Sequence, residues 1–353
     1  MTTINQSRRK FCALAAGAAG GLLAAPCIAR AQSNKDVVRF CWTNTVIVSA
    51  QLQHTLMNTD IADRHGLKLE MTQFTGSSEV NEALASNAAD IGSVSDFSAV
   101  MMMAAGIPIY TVAHQSSFRS AVLATKNSGI KTLADLKGKT VYGLFGITAY
   151  LHAQDAVRRA GLTPGKDVNF VNMGTAELSD AVRAQKIDAF FTWDPWVANF
   201  EFNGLATELT HNTTPAMVLE ARGSFLKDKP DVLKRFLRAH AEALFFANQN
   251  KELTNKWFRS RDPAKGLDPS VIEKASDFDP NWRANQFADI RTAVSAEGIA
   301  SMQHMADWGF GEKLLPKLPK VADWMRLDAA KAVDAEAVSN PFDPKTVKIL
   351  RGL

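Results

Sequence analysis

The chain carries one structural unit twice at a fixed spacing. Gly174-Thr175-Ala176-Glu177-Leu178 opens an amphipathic run that leads to Asp188-Ala189-Phe190-Phe191-Thr192-Trp193-Asp194. Exactly the same order recurs 98 residues upstream, where Gly76, Glu79, Ala83, Asp90 and Asp96 stand for Gly174, Glu177, Ala181, Asp188 and Asp194. Each copy reads as a strand, a small-residue turn, a helix, an Asp, a second strand and a polar tip. A helical crossover between neighbouring strands makes them parallel. Two copies predict two similar α/β lobes, each with a mainly parallel sheet flanked by helices. Parallel sheets take ligands outside the carboxyl ends of their strands, so two lobes facing each other predict a binding cleft. A helix end echoes too: Arg64-His65-Gly66-Leu67 and Arg159-Ala160-Gly161-Leu162 match at a spacing of 95.

The first 31 residues read as an export segment. Ser7-Arg8-Arg9-Lys10-Phe11 precedes an Ala/Gly-rich run to Ile28, and Ala29-Arg30-Ala31 is a small-residue cleavage site. The paired arginines match a twin-arginine signal, which implies a periplasmic protein. Cys27 is also readable as a lipid-anchoring cysteine, but Pro26 before it fits that poorly. Arg8, Arg9, Lys10 and Arg30 leave with the segment. Of 40 Lys and Arg, 36 then face 36 Asp and Glu. A formally neutral mature chain gives no electrostatic ground for a nucleic-acid partner. Cys41 would remain the only cysteine, a small buried hydrophobe in the strand 37–41.

In chain order, residues 37–41, 67–74, 90–94 and 109–113 read as strands of lobe one. Residues 50–64 read as one helix ending at Gly66. The crossing into lobe two is expected at 121–128, with lobe one over 36–122 and 218–353 and lobe two over 123–217. Strands that cross between lobes near 121–128 and 215–221 predict a two-strand hinge and closure around a ligand. Residues 231–248 form a long amphipathic helix. Helical patterning continues to about residue 308, broken at Asp262-Pro263 and Asp279-Pro280.

Catalytic and metal motifs are missing: there is no G-x-S-x-G, H-E-x-x-H, P-loop or C-x-x-C. The seven histidines show no ligand spacing and are expected mostly on solvated faces, with His114 at a strand tip. The candidate site is instead a set of polar strand tips: Asn44, Thr45, Ser77, Ser95, Ser116, Thr148 and Thr175, with Gly76 and Gly146 in the turns. Gly76-Ser77, Gly146-Ile147-Thr148 and Gly174-Thr175 open helices, whose first N–H groups attract anions. The same residues also suit plain helix capping. Trp42 and Trp193 can cover the organic part of a ligand or pack at the lobe edge. Arg119 can clamp an anion bidentately or lie on the surface. Asp194 can meet a ligand, though capping the next helix suits it better.

Residues 133–141, Gly146-Ile147-Thr148-Ala149-Tyr150-Leu151, Gly161-Leu162 and Asp188 to Pro195 together resemble the nitrate/sulfonate/taurine solute-binding proteins of ABC importers. That group includes binders of thiamine pyrimidine precursors. The resemblance, over about residues 36–300, implies a type II periplasmic-binding-protein fold. It also implies a small anionic ligand between the lobes, delivery to an inner-membrane ABC permease, a monomer, and no cofactor or metal. The helix start at 146–149 and the tip at 192–195 would line lobe two; the 76–78 turn and Ser95 would line lobe one. Ile147 stands where many sulfonate binders have Ser, which leaves room for a bulkier, partly apolar anion. Alternatives are a binder of pyrimidine precursors and a pyrimidine-synthase-like enzyme. An export segment and the lack of a Lys–His constellation at the tips argue against the enzyme.

Replacing both Arg8 and Arg9 by Lys is expected to leave the precursor in the cytoplasm. Fractionation showing normal periplasmic accumulation of that double variant would remove the twin-arginine assignment.

Overall fold

The computed structural model describes residues 35–213, 217–260 and 264–351. The expected export segment, the Asp262-Pro263 break and part of the expected return hinge lie outside them. Residues 35–353 cluster as one compact unit that holds both sheets.

The strands are β1 Asp36–Thr43, β2 Leu67–Phe74, β3 Ile91–Ser95, β4 Ile109–Ser116, β5 Ser120–Thr125, β6 Thr140–Gly143, β7 Asn169–Asn172, β8 Ala189–Trp193, β9 Ala206–Asn212 and β10 Met217–Arg222. The first sheet runs β2-β1-β3-β10-β4 and the second β7-β6-β8-β5-β9. The two orders are the same once β6–β9 replace β1–β4. β3 and β8, the strands that end the repeated unit, hold the same central place in their sheets.

Both sheets are mixed: four strands in each run the same way, as expected of a mainly parallel sheet, and one runs against them. β1 pairs in parallel with β2 and β3, and β6 with β7 and β8. β10 runs antiparallel between β3 and β4, and β5 antiparallel between β8 and β9. These two exchanged strands bring the departures from parallel geometry. All of β5 belongs to the second sheet. The expected boundary at residue 122 therefore falls inside it, and the chain passes between sheets at 117–119. Pattern reading placed the crossing late because β5 is an apolar strand like its predecessors, and strand character does not reveal which sheet a strand joins.

Helices cover both faces of each sheet. On the first, Ile47–Asn58 and Pro230–Gln249 pack one face around Phe40, Leu52, Phe236 and Leu237. Ser77–Ala85, Asp96–Ala105 and Ala296–Gly311 pack the other around Val80, Phe97, Val100 and Met305. The second sheet lies between Thr148–Arg159 and the pair Thr175–Arg183 and Trp196–Phe202. Pro230 at the first turn suits the start of the long helix, since its missing N–H has no intrahelical partner there. The expected helix over 50–64 is two helices, Ile47–Asn58 and Ile61–Arg64. At the break, the C-terminal segment hydrogen-bonds Asn58 and Asp60 through Leu350 N–H and Lys348 C=O. That long-range pairing overrides a local pattern that reads as continuous. Cys41 is buried as expected, and burial pushes its thiol up to about 12. The histidines depart from expectation: His54 and His240 are buried in the core.

One glycine fixes a close approach at the end of β6. A Cβ on Gly143 would come within 2.6 Å of the Phe191 ring. Gly143→Ala is expected to destabilise the fold by about 1–3 kcal/mol through overpacking. A denaturant midpoint equal to that of the native chain would show that the ring moves aside freely.

Candidate functional site

The carboxyl ends of the strands of the first sheet gather polar side chains. Trp42, near the end of β1, is buried with its ring edge-on to His54 at 5.6 Å. Asn44 and Thr45 follow, half-buried, in the turn to Ile47–Asn58. The pairing of β10 with β4 passes from Met217–Ser116 to Val218–His114, so Gln115 is an extra residue in β4. Such a bulge re-aims a side chain. Gln115 Oε1 here accepts from the hydroxyl of Ser49 at 3.0 Å and from that of Ser93. Its Nε2 has no hydrogen-bond partner among the described residues. The same is true of Trp42 Nε1 and of the fully buried Ser116 hydroxyl.

Other tip residues serve the protein itself. The Glu79 carboxylate accepts the N–H of Gly76 at 2.8 Å and of Thr75 at 3.0 Å, bonds that hold it below the usual carboxylate range. Ser77 Oγ accepts the Ser95 N–H at 3.0 Å, and Ser95 Oγ caps the next helix by accepting the Ser98 N–H at 3.3 Å. The polar groups expected to face a ligand at Gly76, Ser77 and Ser95 are thus engaged locally.

On the second sheet, Gly146 turns the chain at φ +71°, a left-handed conformation that glycine adopts without strain. Ile147 takes the N-cap position, and its carbonyl accepts from Tyr150 and Leu151. Thr148 is the first helical residue rather than the cap. Its hydroxyl donates to Asp96 Oδ1 at 2.5 Å, joining the tip of β3 to the helix behind β6. Trp193 is half-buried against the helix Thr148–Arg159 cluster. Thr175 opens its helix partly exposed, its carbonyl taken by the Ser179 hydroxyl at 2.9 Å. The Thr192 hydroxyl, 1% exposed, has no partner among the described residues.

Arg119 lies in the crossing segment and is 2% exposed. Its Nε and Nη2 donate to Asp194 at 3.0 and 3.1 Å, and Nη1 to Glu208 at 2.7 Å; Glu201 lies 3.1 Å away. The Phe278 ring stacks beneath the guanidinium at 4.3 Å. The expected anion clamp is therefore a structural ion-pair centre. Asp194 also accepts the Ala198 N–H at 3.0 Å, the capping role favoured for it. Burial raises the Asp194 carboxyl while Arg119 opposes the rise.

The halves also touch beyond the tips. Trp308 Nε1 donates to Gln154 at 3.1 Å, His304 Nε2 lies 2.8 Å from Asp155, and Lys274 pairs with Glu201 at 3.0 Å. A pocket of about 260 Å³ opens by the crossing segment, lined by His114, Ser117, Thr213, Arg291 and Ser295 among others. Burial lowers His114 to about 4, so its ring is neutral at ordinary pH. Sequence reading left Asp96 and Gln115 out of the site and held Thr192 only as part of the 192–195 tip. Asp96 was marked by the 98-residue echo of Asp194, whereas nothing local announces the bulge at Gln115.

A family model described as NMT1/THI5 like matches residues 63–252. The chain belongs to that family. Its relative from Escherichia coli, provisionally named an aliphatic sulfonates-binding protein, is 28% identical over 262 residues, covering 71% of this chain and 76% of the relative. Among solved structures, the alkanesulfonate-binding protein SsuA from Xanthomonas axonopodis pv. citri bound to MOPS superposes with a TM-score of 0.65 at 22% identity, covering 82% of this chain and 98% of that one. The periplasmic aliphatic sulphonate binding protein SsuA from Escherichia coli gives 0.70 at 22% identity, over 82% and 92%. The fold is that of these periplasmic binding proteins, as the family resemblance implied.

Arg119→Met keeps bulk but leaves buried Asp194 without its counter-charge. A loss of about 3–5 kcal/mol is expected by chemical denaturation. A change below 1 kcal/mol, with unaltered denaturant sensitivity, would mean the carboxylates repack or are hydrated at little cost.

Proposed function

We propose that this NMT1/THI5-like protein is the solute-binding component of an ABC importer and holds a small organic sulfonate between its two halves. One observation carries the reading. The buried polar atoms without partners at the facing strand ends include Trp42 Nε1, Gln115 Nε2, Ser116 Oγ and Thr192 Oγ1, all able to donate and none cationic. A sulfonate spreads one charge over three weakly basic oxygens. Several neutral donors and a helix start satisfy it without a salt bridge, each charged hydrogen bond contributing about 1.5–3 kcal/mol. Arg119 is committed elsewhere, so the site selects by hydrogen bonding. The names borne by the sulfonate-binding relatives support the same ligand class.

The remaining assignments follow from this role. Arg8-Arg9 would send the folded protein through the twin-arginine route to the periplasm, where a permease collects the ligand. Passage between halves at 117–119 and again between β9 and β10 would let them open and close as a hinged pair.

Calorimetry and thermal melting of the mature protein with ethanesulfonate and longer alkanesulfonates test the reading. Ligand at 100 times its Kd should add about 2.7 kcal/mol of stability. Solution scattering should show a smaller radius of gyration with ligand if the free protein samples open states. No melting shift with any sulfonate would sink the proposal.

A further inference from the structure

The duplication supplies an internal control for one unexplained carboxyl. Asp96 and Asp194 hold equivalent places, each following the last residue of its central strand. Those last residues, Ser95 and Trp193, pair with Met217 and Ser120, the first residues of the exchanged strands β10 and β5. Before Ser120 the sequence has Arg119, which neutralises Asp194. Before Met217 it has Ala216. The same fold therefore provides a counter-ion for one Asp and none for the other.

Asp96 is nonetheless as buried as Asp194, at 0% exposure. Its Oδ1 accepts the Thr148 hydroxyl from across the cleft and the Phe97 N–H at 2.8 Å. Its Oδ2 is buried without a hydrogen-bond partner among the described residues, and no Lys, Arg or His there forms an ion pair with it. Two hydrogen bonds and its place in the first turn of Asp96–Ala105 favour the charged form, but complete burial with Oδ2 unpaired outweighs them and the carboxyl takes up a proton. A protonated carboxyl has one O–H to donate. It stands at the start of the twelve-residue helix Thr148–Arg159, where N–H groups and the helix dipole favour an anion.

We propose that Asp96 is a specificity-determining residue: its neutral carboxyl donates from Oδ2 to a sulfonate oxygen seated at this helix start, so the cleft prefers a plain organic sulfonate to one carrying a cationic amino arm. This rests on the sulfonate-binding reading. An ionised Asp96 would instead repel the sulfonate and attract the amino group. A neutral acid as hydrogen-bond donor resolves both the orphaned oxygen and the missing counter-ion.

Burial agrees, pushing the Asp96 carboxyl up to about 8, with the Thr148 and Phe97 hydrogen bonds opposing it. The sign follows. Below that value the closed protein holds the proton and offers the donor; as pH rises through it, the donor is lost and a charge appears beside the anion. Titratable groups on the surrounding elements are Glu79 and Glu82 on Ser77–Ala85, His114 on β4, Glu220 and Arg222 on β10, Asp323 on the turn Val321–Trp324, and Glu297, His304 and Asp307 on Ala296–Gly311. Burial pushes Glu220 up to about 8 as well, so the Asp96→Asn comparison is what assigns a pH dependence to Asp96. Thr148–Arg159 adds Tyr150, His152, Asp155, Arg158 and Arg159, and the opposite tip Asp194. None of them ion-pairs with Asp96. Burial holds His114 and His152 near 4, so both stay neutral where Asp96 titrates.

The test is calorimetric titration of mature native protein and Asp96→Asn with ethanesulfonate and 2-aminoethanesulfonate from about pH 6 to about pH 9. Asn keeps the Oδ1 acceptor for Thr148 and replaces O–H by N–H. Ethanesulfonate stays ionised throughout, so any pH dependence belongs to the protein. The native protein should lose about tenfold or more in ethanesulfonate affinity across that range. Asp96→Asn, which has no proton to lose, should show an ethanesulfonate affinity that changes by less than about threefold across that range. Ethanesulfonate should bind the native protein more tightly than 2-aminoethanesulfonate. If the aminosulfonate binds more tightly and Asp96→Asn abolishes that preference, Asp96 is an ionised receptor for a cation and the proposal falls. A pH-independent native affinity also overturns it while leaving sulfonate binding intact. Failure of native protein to bind either ligand overturns both readings together. If Asp96→Asn does not fold, infrared difference spectra of native protein decide: ethanesulfonate should shift a protonated-carboxyl C=O band, and no such band would reject the neutral acid.

Discussion

Each sheet depends on a strand that the chain inserts while passing to or from the other sheet. β5 enters the second sheet directly after β4 closes the first, and β10 enters the first directly after β9 closes the second. Both lie antiparallel beside a central strand, so neither sheet is complete until the chain has crossed. The two crossings tie the halves at one end and align their strand tips. The binding cleft is a consequence of this exchange more than of any single side chain.

The crossing also explains the charge distribution. Arg119 sits in the first passage, where it meets carboxylates from the turn after β8, from the helix that follows it and from β9. A buried cation among three acids is a positioning device whose removal strands charge. Asp279 performs a related task without a cation: it accepts the Ser117 N–H at 2.7 Å and caps the following turn through Asn281. Burial raises its carboxyl to about 6. The passage is therefore fastened to the second sheet by Arg119 and to the C-terminal region by Asp279. With these groups engaged by the protein, the unpaired donors left at the strand tips, Trp42 Nε1, Gln115 Nε2, Ser116 Oγ and Thr192 Oγ1, are neutral ones.

Much of the architecture was legible because periodicity is a local property. The repeat at 98 residues announced two similar halves, and amphipathic spacing located most helices up to about residue 308 but not Asp328–Ser339. Strand partners were not legible, since an apolar strand such as β5 reads alike in either sheet. The site was legible only as a class of residue. Polar tips were expected at Ser77, Ser95 and Thr148, but whether a hydroxyl caps a helix, holds a neighbouring strand or crosses a cleft depends on distances set by the packed chain. Arg119 shows this most plainly: an arginine near a strand tip reads as an anion clamp until three carboxylates, 75 to 89 residues away for those it hydrogen-bonds, arrive around it.

The sequence by itself determined the duplicated α/β halves and the family likeness, because these rest on spacing and composition that a linear chain displays. Only the tertiary structure decided the mixed sheets, the bulge that frees Gln115 Nε2, and the contrast between Asp194 with its arginine and Asp96 without one. Those outcomes require residues far apart in sequence to meet in a water-poor interior. There, partner and burial together set whether a side chain is a structural pair or a binding group.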